Sequence, residues 1–180
     1  ALANLKQPPR LVITDSQAVL KAAADTPGGV LFTSFSILFA RYKGDLEEMV
    51  RGAMSIARLR PGNKVLIAEA CTHHRQPDDI GKVQIPRWLR QTVGGELEFH
   101  WISGGDFPAD LESYQLVVHC GACMINRQEM LSRIARAREA GVPIVNYGVL
   151  LAAVHGLLER ALEPFPAARL VLEEAEVQLA

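Results

Sequence analysis

Residues 116–123 read LVVHCGAC. Leu116 to Val118 is a short apolar run with no polar alternation, and it leads directly into His119 and Cys120. Such a run predicts a strand buried on both faces, as in a parallel sheet covered by helices. Gly121 and Ala122 are small enough for a tight turn. Asn126 is then placed to cap a helix from Arg127 to Ala140, and Gly141 closes it.

The same alternation continues on both sides. Downstream, Pro143 to Val145 is a strand ending at Asn146-Tyr147-Gly148, Val149 to Leu162 is helical, and the tail from Pro166 forms one more helix. Upstream, Leu97 to Ile102 is a strand that stops at Ser103-Gly104-Gly105. Pro86 begins a helix through Thr92. Val65 to Ala68 is a short strand running into Cys71, and the stretch from Thr72 to Val83 is polar with no period. Gly44-Asp45 opens an amphipathic helix. Leu46, Met49, Val50, Ala53, Ile56, Ala57 and Leu59 recur on it at helical spacing until Pro61-Gly62-Asn63. Val30 to Phe35 and Arg10 to Thr14 are further strands, with a helix through Ala24 between them, capped by Asp15 or Ser16. The fold class is α/β: a parallel sheet flanked by helices. Ligands of such sheets bind beyond the carboxyl ends of the strands. Cys71, Gly104-Gly105, His119-Cys120 and Asn146-Tyr147-Gly148 all fall at such ends, so residues some 50 positions apart converge on one rim.

Composition sets the limits. The chain has 180 residues, is 49% hydrophobic and 22% charged, and carries a net charge of −1. It can bury a real core, and no global field favours nucleic acid. The start, Ala1 to Arg10, has no apolar signal region and no initiator Met. The expectation is a chain that begins inside a longer protein and works in the cytoplasm. Val142 to Leu158 is apolar but broken by Pro143, Asn146 and His155, which predicts core and no membrane span.

The three cysteines are the chemistry. An odd, low count without an export signal argues against a disulfide framework. The pattern is Cys71-Thr72-His73, then His119-Cys120-Gly121-Ala122-Cys123. Amides of the tight CxxC turn can point at sulfur, which favours thiolates and a negatively charged cluster. Three thiolates leave a cubane one ligand short. Candidates for the fourth position are His73, His74, His119, Asp78, Asp79, water or an outside molecule. Zinc competes, because Cys71, His73, Cys120 and Cys123 make a tetrahedral set it accepts. A dithiol at Cys120 and Cys123 is a third reading, but it leaves Cys71 unexplained. Arg75, Lys82, Arg87 and Arg90 flank the first half and Arg127 follows the second, and they could contact an anionic cargo. His100 and His155 read as packed or surface residues, Met49 and Met54 as core, and Trp88 and Trp101 as packing residues. No G-x-x-x-x-G-K-[ST] loop is present, so no nucleotide phosphate site is expected.

CTHH at 71–74, DDIG at 78–81, IPRWLR at 85–90, SGGDFP at 103–108 and HCGACM at 119–124 resemble the hydrogenase-maturation GTPase family HydF. TSFSILFARYKGDLE at 33–47 and GVPIVNYG at 141–148 are also similar to it. The resemblance implies the end of a dimerisation domain over residues 1–28 and an iron–sulfur cluster domain over 29–180, with the GTPase domain missing. It implies a [4Fe-4S] cluster on Cys71, Cys120 and Cys123, with His73 or His119 as candidates for the fourth ligand. It further implies a non-catalytic scaffold, homodimeric, with no nucleic-acid or membrane partner. Such a scaffold takes a diiron precursor of the hydrogenase active-site cluster from partner radical maturases and delivers it to apo-[FeFe]-hydrogenase.

Overall fold

The computed structural model describes residues 5–70 and 78–179. The order is β1 (Leu11–Thr14), α1 (Val19–Asp25), β2 (Leu31–Ser34), α2 (Phe35–Lys43), α3 (Leu46–Met54) and β3 (Lys64–Glu69). It continues with α4 (Ile85–Val93), β4 (Glu98–Ser103), β5 (Leu116–His119) and α5 (Arg127–Glu139). β6 (Ile144–Asn146), α6 (Tyr147–Val154), α7 (Leu158–Leu162) and α8 (Pro166–Leu179) complete it.

Two parallel sheets result. β1 and β2 pair with Leu11 opposite Leu31, and the other four strands run in the order β4-β3-β5-β6. In the larger sheet Ala68 lies opposite His119, and His119 opposite Asn146. The expected α/β architecture, with helices flanking parallel strands, is the one observed. β5 and β6 are buried along their whole length, and β3 along all but its first residue, as unbroken apolar runs require.

Local chemistry sets the boundaries. Asp45 caps α3 by accepting from the Glu48 amide at 3.1 Å, and Asn126 caps α5 through the Glu129 amide at 2.8 Å. The apolar face of α3 buries Leu46, Met49, Val50 and Ala53. A Cβ on Gly52 would collide with the Ile144 carbonyl, so only glycine lets α3 lie this close to β6. Met49 is in the core, whereas Met54 only packs against it.

Several elements differ from the sequence-based expectation; α1, for one, has Ala18 rather than Asp15 or Ser16 at its N-cap position. The apolar run from Val30 stops being a strand at Ser34. The Ser34 hydroxyl accepts from the Ile37 amide at 3.4 Å and starts α2 there. The polar stretch before Pro86 contains a π-helical turn, Ile80–Gln84, capped by Asp79 through the Gly81 and Lys82 amides. The single helix expected over Val149 to Leu162 is two, α6 and α7, because Gly156 turns the chain at φ 68°.

Candidate metal centre

The connections leave β3 and β5 in opposite directions, β3 toward β4 and β5 toward β6. That divergence opens a crevice beyond the carboxyl ends of two adjacent strands. Cys120 sits there. Its amide donates to the Ala68 carbonyl at 2.9 Å, extending the β3–β5 ladder by one residue. Its sulfur accepts from the Ala70 amide at 3.1 Å. Ala70 is the last described residue before Cys71, so the two strand ends that carry the cysteine motifs meet at this sulfur. Cys71, His73, His74 and Arg75 themselves lie outside the described residues.

The CxxC turn has its own geometry. Cys120 is buried and Cys123 exposed. Between them Ala122 adopts φ 56°, a left-handed conformation unusual for a residue with a Cβ. Lys43, the last residue of α2, braces the turn. Its Nζ donates to the carbonyls of Ala122, Cys123 and Ile125 at 3.1, 3.0 and 3.0 Å. Arg127 adds a second tie, Nε to the Tyr42 carbonyl at 3.2 Å.

His119 points inward and is fully buried. Its Nδ1 donates to the Cys120 carbonyl at 2.8 Å, and its Nε2 lies 3.2 Å from Arg133 Nη1. Arginine only donates, so Nε2 accepts and the proton resides on Nδ1. Burial, reinforced by the Arg133 charge, lowers the imidazole to about 4 and keeps it neutral. Of the two histidines named as ligands, His119 therefore has both nitrogens engaged within the protein.

Arg133 is itself buried. It also donates to Glu129 Oε1 at 2.9 Å and to the Gly104 carbonyl at 2.9 Å. On the other side of the crevice Glu69 is buried and accepts from the Tyr147 hydroxyl at 3.4 Å. Burial, with Glu69 beside it, raises the Tyr147 phenol well above its ordinary range. The Gly81 position is closed to larger residues, because a Cβ there would strike the Tyr147 hydroxyl.

The cationic residues fall in different places. Lys82 follows the Asp79 cap and lies 5.8 Å from the Trp101 ring centroid. Arg87 is exposed beside Trp88. Arg90 pairs with Glu96 at 2.8 Å. Glu96 precedes β4 and bonds to Gly62 at the amino end of β3, which puts Arg90 at the opposite end of the sheet from Cys120. Asp79 is committed to its cap, and Asp78 accepts from Gln84 at 3.0 Å. His100 bonds to Glu98 and Tyr114, and His155 packs edge-on against Trp88.

Does this crevice suit a metal or cluster? Among the described residues no three ligating side chains gather. Two thiols are described: a buried one receiving a backbone amide, and an exposed one three positions on in a strained turn, a donor chemistry that zinc and iron–sulfur centres both accept. Amide hydrogen bonds to sulfur stabilise the negative charge of a thiolate-ligated centre. Sequence reasoning placed Tyr147 at a strand end on this rim but missed Lys43, Glu69 and Arg133. Glu129 and Arg133 do stand four apart on a helix, a spacing that signals an ion pair. Glu69 is an acid at the end of an apolar strand, and Lys43 gave no local signal.

The family model of the hydrogen maturase F tetramerization domain matches residues 47–164, more than half of the chain. The chain belongs to the hydrogen maturase F family. The dimerization domain of hydrogen maturase F matches residues 1–44 as well. Membership places the chain in hydrogenase maturation, and the two hydrogen maturase F domains are named for self-association. The matches meet between residues 44 and 47. No curated protein matches the chain. Among the described residues no helix is long and apolar enough to cross a membrane.

Proposed function

We propose that this chain binds a [4Fe-4S] cluster through Cys71, Cys120 and Cys123 and acts as a non-catalytic scaffold in hydrogenase maturation. Its cargo is an anionic diiron precursor, received from partner radical maturases and passed to apo-[FeFe]-hydrogenase in the cytoplasm by a homodimer. The carrying observation is the Ala70 amide on Cys120 Sγ at 3.1 Å. It joins the strand end leading to Cys71 with the turn that holds the other two thiols.

Each residue has a definable task. The Ala70 amide donates to Cys120 Sγ and orients it toward the crevice as a ligand. Cys123 is the exposed thiol, so it is the side from which cluster constituents and cargo approach. When bound with three thiolates, the cluster supplies an iron position that an outside ligand can occupy. Lys82 and Arg87, beyond the Asp79 cap, supply positive charge for an anionic cargo. Arg90, paired with Glu96 at the far end of the sheet, has no part in it.

Reconstitution with iron and sulfide under anaerobic conditions tests this reading. The expected result is iron and acid-labile sulfide in equal amounts, with a reduced-cluster EPR signal that Cys120→Ser abolishes. Stoichiometric zinc without labile sulfide in protein purified anaerobically would replace the scaffold with a zinc-stapled interaction module.

A further inference from the structure

Lys43 belongs to the segment matched by the dimerization domain, while the cysteine turn belongs to the tetramerization domain. The three bonds from Nζ to Ala122, Cys123 and Ile125 therefore cross from one matched domain to the other, 79 to 82 residues apart in sequence. An ammonium has three donors, and all three are used on this one turn. The Phe39 ring lies 5.6 Å from the same nitrogen and covers it. Three carbonyls converging on one point repel each other without a cation between them, and the left-handed Ala122 adds strain to the same turn.

We propose that Lys43 is a positioning residue for the metal centre: its ammonium holds the Cys120–Cys123 turn in its ligating shape and makes that shape depend on where α2 sits. This rests on the cluster-binding function proposed above. The consequence is a mechanical link. A displacement of α2, the last helix of the dimerization match, withdraws the clamp and frees the turn, so the self-associating part of the chain can govern how firmly the thiols are presented.

The test compares wild type, Lys43→Met and Lys43→Arg in the full 180-residue chain, with Leu172→Ala in α8 as a destabilised control remote from the turn. Metal-free protein is alkylated with iodoacetamide under native conditions, and each cysteine is followed by peptide mass spectrometry. Loss of the clamp should raise the Cys120 alkylation rate by roughly tenfold or more, the effect of losing at least one charge-assisted bond that keeps the turn closed. Lys43→Arg, which keeps the charge but places its donors in a planar fork, should fall between. In reconstituted protein, Lys43→Met should lose iron to a chelator several-fold faster than Leu172→Ala does. Equal Cys120 rates in wild type and Lys43→Met, or an acceleration matched by Leu172→Ala, overturns the inference. If Lys43→Met fails to fold, a wild-type rate in Lys43→Arg at both readouts overturns it and an intermediate rate supports it. A wild type that takes up no iron and sulfide removes the cluster function instead, and the alkylation comparison still decides whether Lys43 holds the turn.

Discussion

Arg133 Nη1 donates to His119 Nε2 at 3.2 Å inside the protein, with neither side chain reaching solvent appreciably. The bond fixes the tautomer that lets Nδ1 donate to the Cys120 carbonyl. A chain of contacts thus runs from Glu129 on the surface of α5, through Arg133 and His119, to the backbone of the buried cysteine. The histidine of the HCxxC motif acts here as a strut for the cysteine beside it.

Arg133→Leu removes the donor to His119 and to the Gly104 carbonyl and leaves the His119 acceptor buried and unpaired. The expected loss is about 2–4 kcal/mol of folding stability, from the stranded polar groups and the severed ion pair. Urea unfolding of the metal-free protein measures it. A midpoint shift equivalent to less than about 0.5 kcal/mol would mean that the network carries no stability.

Acid should weaken the fold through His119. Its folded value of about 4 lies below the 6.5 of an unburied imidazole. Between those values the unfolded chain binds a proton that the folded chain does not, so stability falls as pH drops from about 6.5 toward 4. The full span amounts to something on the order of 3 kcal/mol. Urea midpoints across that range should slope downward, and the slope should flatten in His119→Gln. A wild-type midpoint that stays level down to pH 4.5 contradicts a buried neutral imidazole.

Ala122→Gly should stabilise the chain. At φ 56° the alanine Cβ is strained, whereas glycine adopts that conformation freely but loses more entropy on folding. The net gain is about 0.5–1 kcal/mol, roughly 2 °C in Tm. A calorimetric scan showing a lower Tm than wild type would mean that Lys43 and the packing around Ala122 outweigh the backbone strain.

Much of the architecture was readable along the chain. Leu116 to Val118 and Val65 to Ala68 are apolar on both faces, and this alone predicts parallel strands under helices. Asp45 and Asn126 announced α3 and α5 by their capping chemistry. The boundaries that failed were those where one residue outweighs a pattern. Ser34 starts a helix inside what reads as an apolar strand, and Gly156 breaks one helix into two.

By itself, then, the sequence determined the fold class and the Cys120–Cys123 turn beyond a strand end, because hydrophobic period, caps and ligand chemistry are local properties. Tertiary structure decided the rest. It took His119 inward to Arg133, sent Arg90 to the far end of the sheet, and brought Lys43 from α2 onto the cysteine turn. Strand order and side-chain direction set such contacts across the whole chain, and no spacing in the sequence encodes which distant carbonyl a lysine will reach.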